Sequence, residues 1–189
     1  MSEIRVTNII GETGTDAVNF TKGINATGIV TATSFAGSGA ALTGIAAGGK
    51  INQVVSMIYE PGSDVTTSST SFQDSGMTLQ ITPSNTNSKI LLFGTCNGHK
   101  ISNADSNSII NIKRAVSGGS TDNLAGQNLG LAHTYETNAT TSPVFFIDGT
   151  TGTAQRTYTV IFRTDNGSRT ASLVRAATSN VFMAMEILP

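Results

Sequence analysis

The chain is short of charge, of aromatic rings and of cysteine. Asp, Glu, Lys and Arg make up 12 % of its 189 residues, about half the share of an ordinary globular protein. Eleven basic residues are scattered among twelve acidic ones, and the net charge is −1. Binding nucleic acid needs clustered Lys and Arg to displace counterions, so nucleic acid is not an expected partner. Trp is absent. A single cysteine, Cys96, rules out a disulfide within the chain and with it a small secreted domain stapled by disulfides. Cys96 sits in the apolar run KILLFGTC, where a small buried residue is expected. The N-terminus, MSEIRVTNIIGETG, has no run long enough for a signal peptide, and no stretch is long and apolar enough to span a membrane. The expectation is a chain made in a cytoplasm and not inserted in a membrane.

The missing charge is replaced by Ser, Thr, Asn and Gly, the last numbering 20. Thr favours strands; Asn, Gly and Ser favour turns. The chain divides near Gly48, Gly49 and Lys50. In residues 1–49, short apolar beats alternate with turn residues, as in IRVTNII, AVNF and GIVTATSFAGSGAALTGI. Their few large side chains cannot bury enough area to fold alone. The segment therefore needs another copy, the rest of the chain or a partner to order it.

Residues 50–189 read as a set of on the order of eight to ten strands, the spacing of an all-β sandwich or barrel. KINQVVSMIY is the first. SFQDSGMTLQITP alternates Met77, Leu79 and Ile81; KILLFGTC suits a strand buried on both faces. SIINIKRA, NLGLAHTYE, SPVFFIDGT, RTYTVIFRT, TASLVRAA and VFMAMEIL follow, the last alternating Val181, Met183, Met185 and Ile187. PGSDVTTSSTS and GGSTDN read as links. DNGS at 165–168 is a hairpin signal, because Asn-Gly accepts the positive φ of a tight primed turn.

Motifs that carry chemistry are incomplete. GIAAGGKI, Gly44 to Ile51, has the spacing of a phosphate-binding loop but lacks the Ser or Thr after Lys50 and opens a strand where a helix is needed. It reads as a hinge. His99 and His133 are the only histidines, too few for a zinc site. His99 lies in NGHK, read as a loop; His133 is placed on a strand. Strand parity sets Cys96 and His99 on opposite faces. No G-x-S-x-G elbow supports a serine nucleophile. Asp148, in FFIDGT, is expected to accept hydrogen bonds in an Asp-Gly turn. The N-x-Ser/Thr triplets at Asn19, Asn25, Asn138 and Asn166 carry no expected glycan without a secretory signal. No catalytic residue, cofactor or metal ligand is assigned.

Taken together, IRVTNIIGETGTDAVNFTKG, GIVTATSFAGSGAALTGI and the later pieces KINQVVSMIY, TSFQDSGMTLQITPSNTNSKILLF, SPVFFIDGTTGTAQRTYTV and FMAMEIL resemble fibre and other structural proteins of tailed marine bacteriophages, cyanophages especially. The resemblance implies a non-enzymatic virion protein and a homotrimer. It implies residues 1–49 as a β-rich stalk that grips other virion proteins, with Ile29, Val30, Phe35, Leu42 and Ile45 as contacts between copies and Ile4, Val6, Ile9, Ile10 and Phe20 as attachment residues, and residues 50–189 as a jelly-roll-like antiparallel β-sandwich knob. A tail fibre or spike component that meets a host surface glycan or protein is the first expectation, with Tyr135 as a loop contact. A capsid-bound head fibre or decoration protein is the second, and a polysaccharide hydrolase the third.

Overall fold

The structure, a computed structural model, describes residues 27–29, 31, 50–126 and 128–189. The chain divides into two units, Met1–Ile45 and Ala46–Pro189. In the first unit the described residues are exposed, Ile29 at 96 %. Val30, Phe35, Leu42 and Ile45 lie outside the described residues, as do Ile4, Val6, Ile9, Ile10 and Phe20.

The second unit is all-β, with no helix among the described residues. Its strands are β1 (Ile51–Tyr59), β2 (Val65–Thr67), β3 (Gln73–Ile81), β4 (Lys89–Ile101), β5 (Ser108–Val116), β6 (Thr121–Asn123), β7 (Ala132–Thr134), β8 (Thr140–Asp148), β9 (Arg156–Thr164), β10 (Ala171–Val174) and β11 (Asn180–Ile187). They form two antiparallel sheets. In the six-stranded sheet, β11 and then β10 run along one edge of β4 and β8 runs along the other; β1 flanks β11 and β2 flanks β10. In the five-stranded sheet, β9 lies between β3 and β5, and β6 and β7 share the far edge of β5. The pairing nests: β1 with β11, β2 with β10, β3 with β9, β4 with β8, and β5 with β7.

The alternation read from the sequence builds the core. Met77, Leu79 and Ile81 of β3, Ile110 and Ile112 of β5, and Tyr158, Val160 and Phe162 of β9 point inward and are buried. Ile90, Leu92, Val144, Leu173 and Phe182 meet them from the other sheet. β11 inverts the expectation. Its buried side is Asn180, Phe182, Ala184 and Glu186, so the apolar series Val181, Met183, Met185 and Ile187 faces out.

Several local expectations are overturned. NGHK is not a loop but the end of β4, which runs for 13 residues. The ladder to β8 shifts register between Asn97 and His99, and Gly98 sits at φ +140°. This bulge adds one residue to the strand, so Cys96 and His99 are both buried rather than on opposite faces. A Cβ at Gly98 would lie 2.4 Å from the Arg175 backbone nitrogen, which explains the glycine. DNGS is not a hairpin. It links β9 in one sheet to β10 in the other, and Gly167 is not among the positive-φ glycines. The Asp165 carboxylate accepts hydrogen bonds from Ser106 Oγ (2.5 Å), Asn107 N (2.8 Å) and Asn107 Nδ2 (2.5 Å), which fix the crossing. Tertiary partners here outweigh the turn propensity of Asn-Gly. The links DVTT and STDN each hold a three-residue strand, β2 and β6. Only residues 132–134 of NLGLAHTYE pair, leaving Leu129 exposed.

Candidate functional site

The outward face of the five-stranded sheet carries an open groove of about 560 Å³, within the size range of small-ligand sites. Strand alternation positions its walls: Asp74 of β3, Lys113 of β5 and Arg163 of β9 all point away from the core. Phe72 closes one side, held by the turn before β3 in which Ser69 Oγ donates to Ser71 O (2.8 Å) and Gln73 Nε2 donates to Phe72 O (3.1 Å). Asn123 and Asn128 close the other side.

Each charged side chain in the groove is held by a protein partner. Lys113 Nζ is 2.5 Å from Asp74 Oδ1. The Arg163 guanidinium lies 5.3 Å above the Phe72 ring centre, a cation–π distance, and Nη2 donates to Asn128 O at 3.1 Å. Asp74 is the one carboxylate among the lining residues. What the groove offers is amide and hydroxyl hydrogen bonding around the Lys113–Asp74 pair and the Arg163 guanidinium, suited to a polar ligand. The same face outside the groove is polar and bonded to itself: Thr78 Oγ1 is 3.0 Å from Thr159 Oγ1, and Gln80 Nε2 donates to Thr157 Oγ1 at 3.2 Å.

The buried polar side chains tie strands together. Asp148, the last residue of β8, accepts from Arg114 Nη1 (2.8 Å) on β5, from Tyr158 OH (2.6 Å) on β9 and from Thr150 N (2.9 Å). The Thr150 bond is the turn contact expected from Asp-Gly; the link to Arg114 and Tyr158 joins the two sheets, and Arg156 stands 3.6 Å away. Burial works to raise the Asp148 pKa, but hydrogen bonds from Tyr158 and Thr150 and the charge of Arg114 bring it below the ordinary value. Burial, with the Asp148 carboxylate beside it, pushes the Tyr158 phenol up. Glu186 receives Asn52 Nδ2 (2.9 Å), Gln53 Nε2 (2.7 Å) and Ser84 N (2.6 Å). Burial opposes its ionisation, yet those donors hold its pKa down at about 2.

His99 of β4 is fully buried. Its Nε2 is 3.1 Å from Ser108 O on β5, and its Nδ1 is 2.7 Å from Ser142 Oγ on β8. A carbonyl only accepts, so Nε2 carries the proton and Ser142 donates to Nδ1. A serine and a histidine are thus brought together, but the ring is oriented by a carbonyl where a catalytic triad has a carboxylate. Burial lowers the His99 pKa to about 4, and burial pushes the Cys96 thiol up to about 12. Among the described residues, no three His, Cys, Asp or Glu side chains converge as a metal site requires.

Tyr135 is exposed, edge-on to His133 with ring centres 5.9 Å apart and planes at 88°, and it does not line the groove. His133 lies on β7. Lys50 is exposed and leads directly into β1. Sequence reading missed Phe72, Asp74, Lys113 and Arg163. Asp74 and Lys113 lie 39 residues apart in the chain, and only the register of β3, β9 and β5 brings them together. No family model matches the chain, and no curated protein matches it.

Proposed function

We propose that the chain is a non-enzymatic structural protein of a virion: a component of a trimeric tail fibre or spike. In this reading the sandwich is a knob, and residues 1–49 are the stalk and the attachment to other virion proteins. The nested strand pairing is what winding a long two-stranded ribbon into two sheets produces, and we read it as a jelly roll. The knob's polar groove is then the surface turned to a host glycan or protein.

The observation that carries the non-catalytic reading is how the ionisable groups are used. Asp148, Glu186, Asp165 and His99 are held by partners on neighbouring strands or loops. The groove's one carboxylate, Asp74, is neutralised by Lys113. Hydrolysis of a polysaccharide uses two carboxylates facing one cleft, and the groove has one. A surface of amides and hydroxyls with few charges suits contact made mainly through hydrogen bonds.

The test is the particle. Purified virions are expected to contain the chain, and an antibody against the sandwich is expected to label tails. Labelling confined to heads would replace the fibre reading with a capsid-bound fibre or decoration protein. Absence from purified particles would contradict both.

A further inference from the structure

The two outward sheet faces are built differently, although both belong to antiparallel sheets in one sandwich. In such sheets, residues directly opposite across a pair point the same way. Across β1, β11, β4 and β8 one outward row reads Val54, Met185, Leu91, Ile147. The next reads Ser56, Met183, Phe93, Phe145. A third begins with Ile58 and Val181. None of these residues is ionisable. Polar groups appear at the ends: Thr141 Oγ1 bonded to Asn97 Oδ1 at 2.8 Å on one side, and Lys89 opposite Ile187 on the other. An apolar centre with a polar margin is the anatomy of a protein interface.

The size fits as well. Ile58 is 69 % exposed, Phe145 57 % and Ile147 50 %, with Ile51, Val54 and Phe93 between 40 % and 56 %. At roughly half exposure such a side chain leaves on the order of 100 Å² in solvent, so the six present about 600 Å². That is at the upper end of what a monomer carries as a patch and close to the roughly 800 Å² that each partner contributes to a standard interface.

The sequence pattern agrees. A sheet with one solvated face alternates apolar with polar residues. β3 does so, with Thr78 and Gln80 outside, and β9 does so over Thr157 and Thr159, with Ile161 the exception beneath the groove. β4 does not: Ile90 and Leu92 fill the core, and Leu91 and Phe93 are apolar on the other side. A flat face without charge finds its complement in another face without charge, and every copy of the chain supplies one.

We propose that this outward face of the six-stranded sheet is an interface between copies of this chain. The inference rests on the reading of the protein as a self-assembling virion component, and it places a principal contact on the sandwich in addition to residues 1–49. The full chain and F145E/I147K would be compared by sedimentation, with circular dichroism as the check on folding. Both substituted positions point outward, so the sheet signal is expected to persist while the mass falls from an oligomer to the 19.5 kDa chain. T78K/Q80K, on the other sheet, is expected to keep the wild-type mass. If F145E/I147K loses its fold, Ile147→Lys alone gives the same reading as a dissociation constant weakened by about tenfold, the effect of one contributing interface residue. Folded F145E/I147K at the wild-type mass would overturn the face and leave the oligomer to residues 1–49. In that case Phe35→Asp, not F145E/I147K, would separate the copies. A wild-type chain sedimenting at 19.5 kDa would also overturn the face, while the virion reading would still stand or fall on the particle.

Discussion

His99 shows how much a single buried side chain contributes here. Its ring bridges β4 to the carbonyl of Ser108 on β5, so it joins the two sheets at the end of the sandwich opposite Asp148. Burial holds its pKa at about 4, against about 6.5 in an unfolded chain. Between those values the unfolded chain binds the extra proton. Stability from the neutral ring is therefore fully present above pH 6.5 and is lost as the pH falls toward 4, by about 3 kcal/mol at most. Urea unfolding from pH 7 to pH 4 should show that decline, and His99→Gln should flatten it; an equally steep decline in the variant would assign it to other groups. Glu186 stays ionised in the folded chain down to about 2, but its unfolded carboxyl protonates at about 4.3, so its own contribution begins to fall only at the acid end of this window. Sequence alone could not reveal these roles. It showed His99 as one of two histidines, and parity set it opposite Cys96. The bulge that turns both inward depends on Gly98 passing close to the backbone between Val174 and Arg175, 77 positions away in the chain for Arg175 and so invisible to any local pattern.

At the scale of the element, the strands with one buried face were the most legible. Met77, Leu79 and Ile81 alternate with polar neighbours, as do Tyr158, Val160 and Phe162 apart from Ile161, and these apolar sets lie in the core. β11 was misleading because its inward side carries Asn180 and Glu186 while its outward side, Val181, Met183, Met185 and Ile187, is wholly apolar, so hydropathy alone points to the wrong face. The buried Phe182 and Ala184 settle it. Short strands paired through backbone, such as β2 and β6, leave no apolar trace in VTT or TDN. The groove was not legible, since its parts come from five separated stretches. β4 offers the sharpest test of an element. Gly98→Ala would place a Cβ 2.4 Å from Arg175 N at a φ of +140°, a conformation costing a side-chain-bearing residue about 1–3 kcal/mol before the contact is counted. A melting temperature lower by about 5–10 °C is expected for a domain of this size. An unchanged melting temperature would mean that the bulge relaxes freely.

At the scale of the molecule, the sandwich has two outward sides with different chemistry. The five-stranded side is polar, hydrogen-bonded to itself and grooved; the six-stranded side has three rows without an ionisable group, apolar but for Ser56 and Thr95. In the proposed assembly the apolar sides meet and the polar sides remain in solvent. Closed symmetry lets a few apolar residues per chain count several times over. In that proposal the N-terminal segment, poor in large side chains, would gain from the same multiplication, and the proposed fibre reading makes three the expected number of copies. The measurement that bears on this most directly is the native mass of the full chain. Three times the 19.5 kDa chain mass is the expected result; a single stable species at 19.5 kDa, unchanged at high protein concentration, would contradict it.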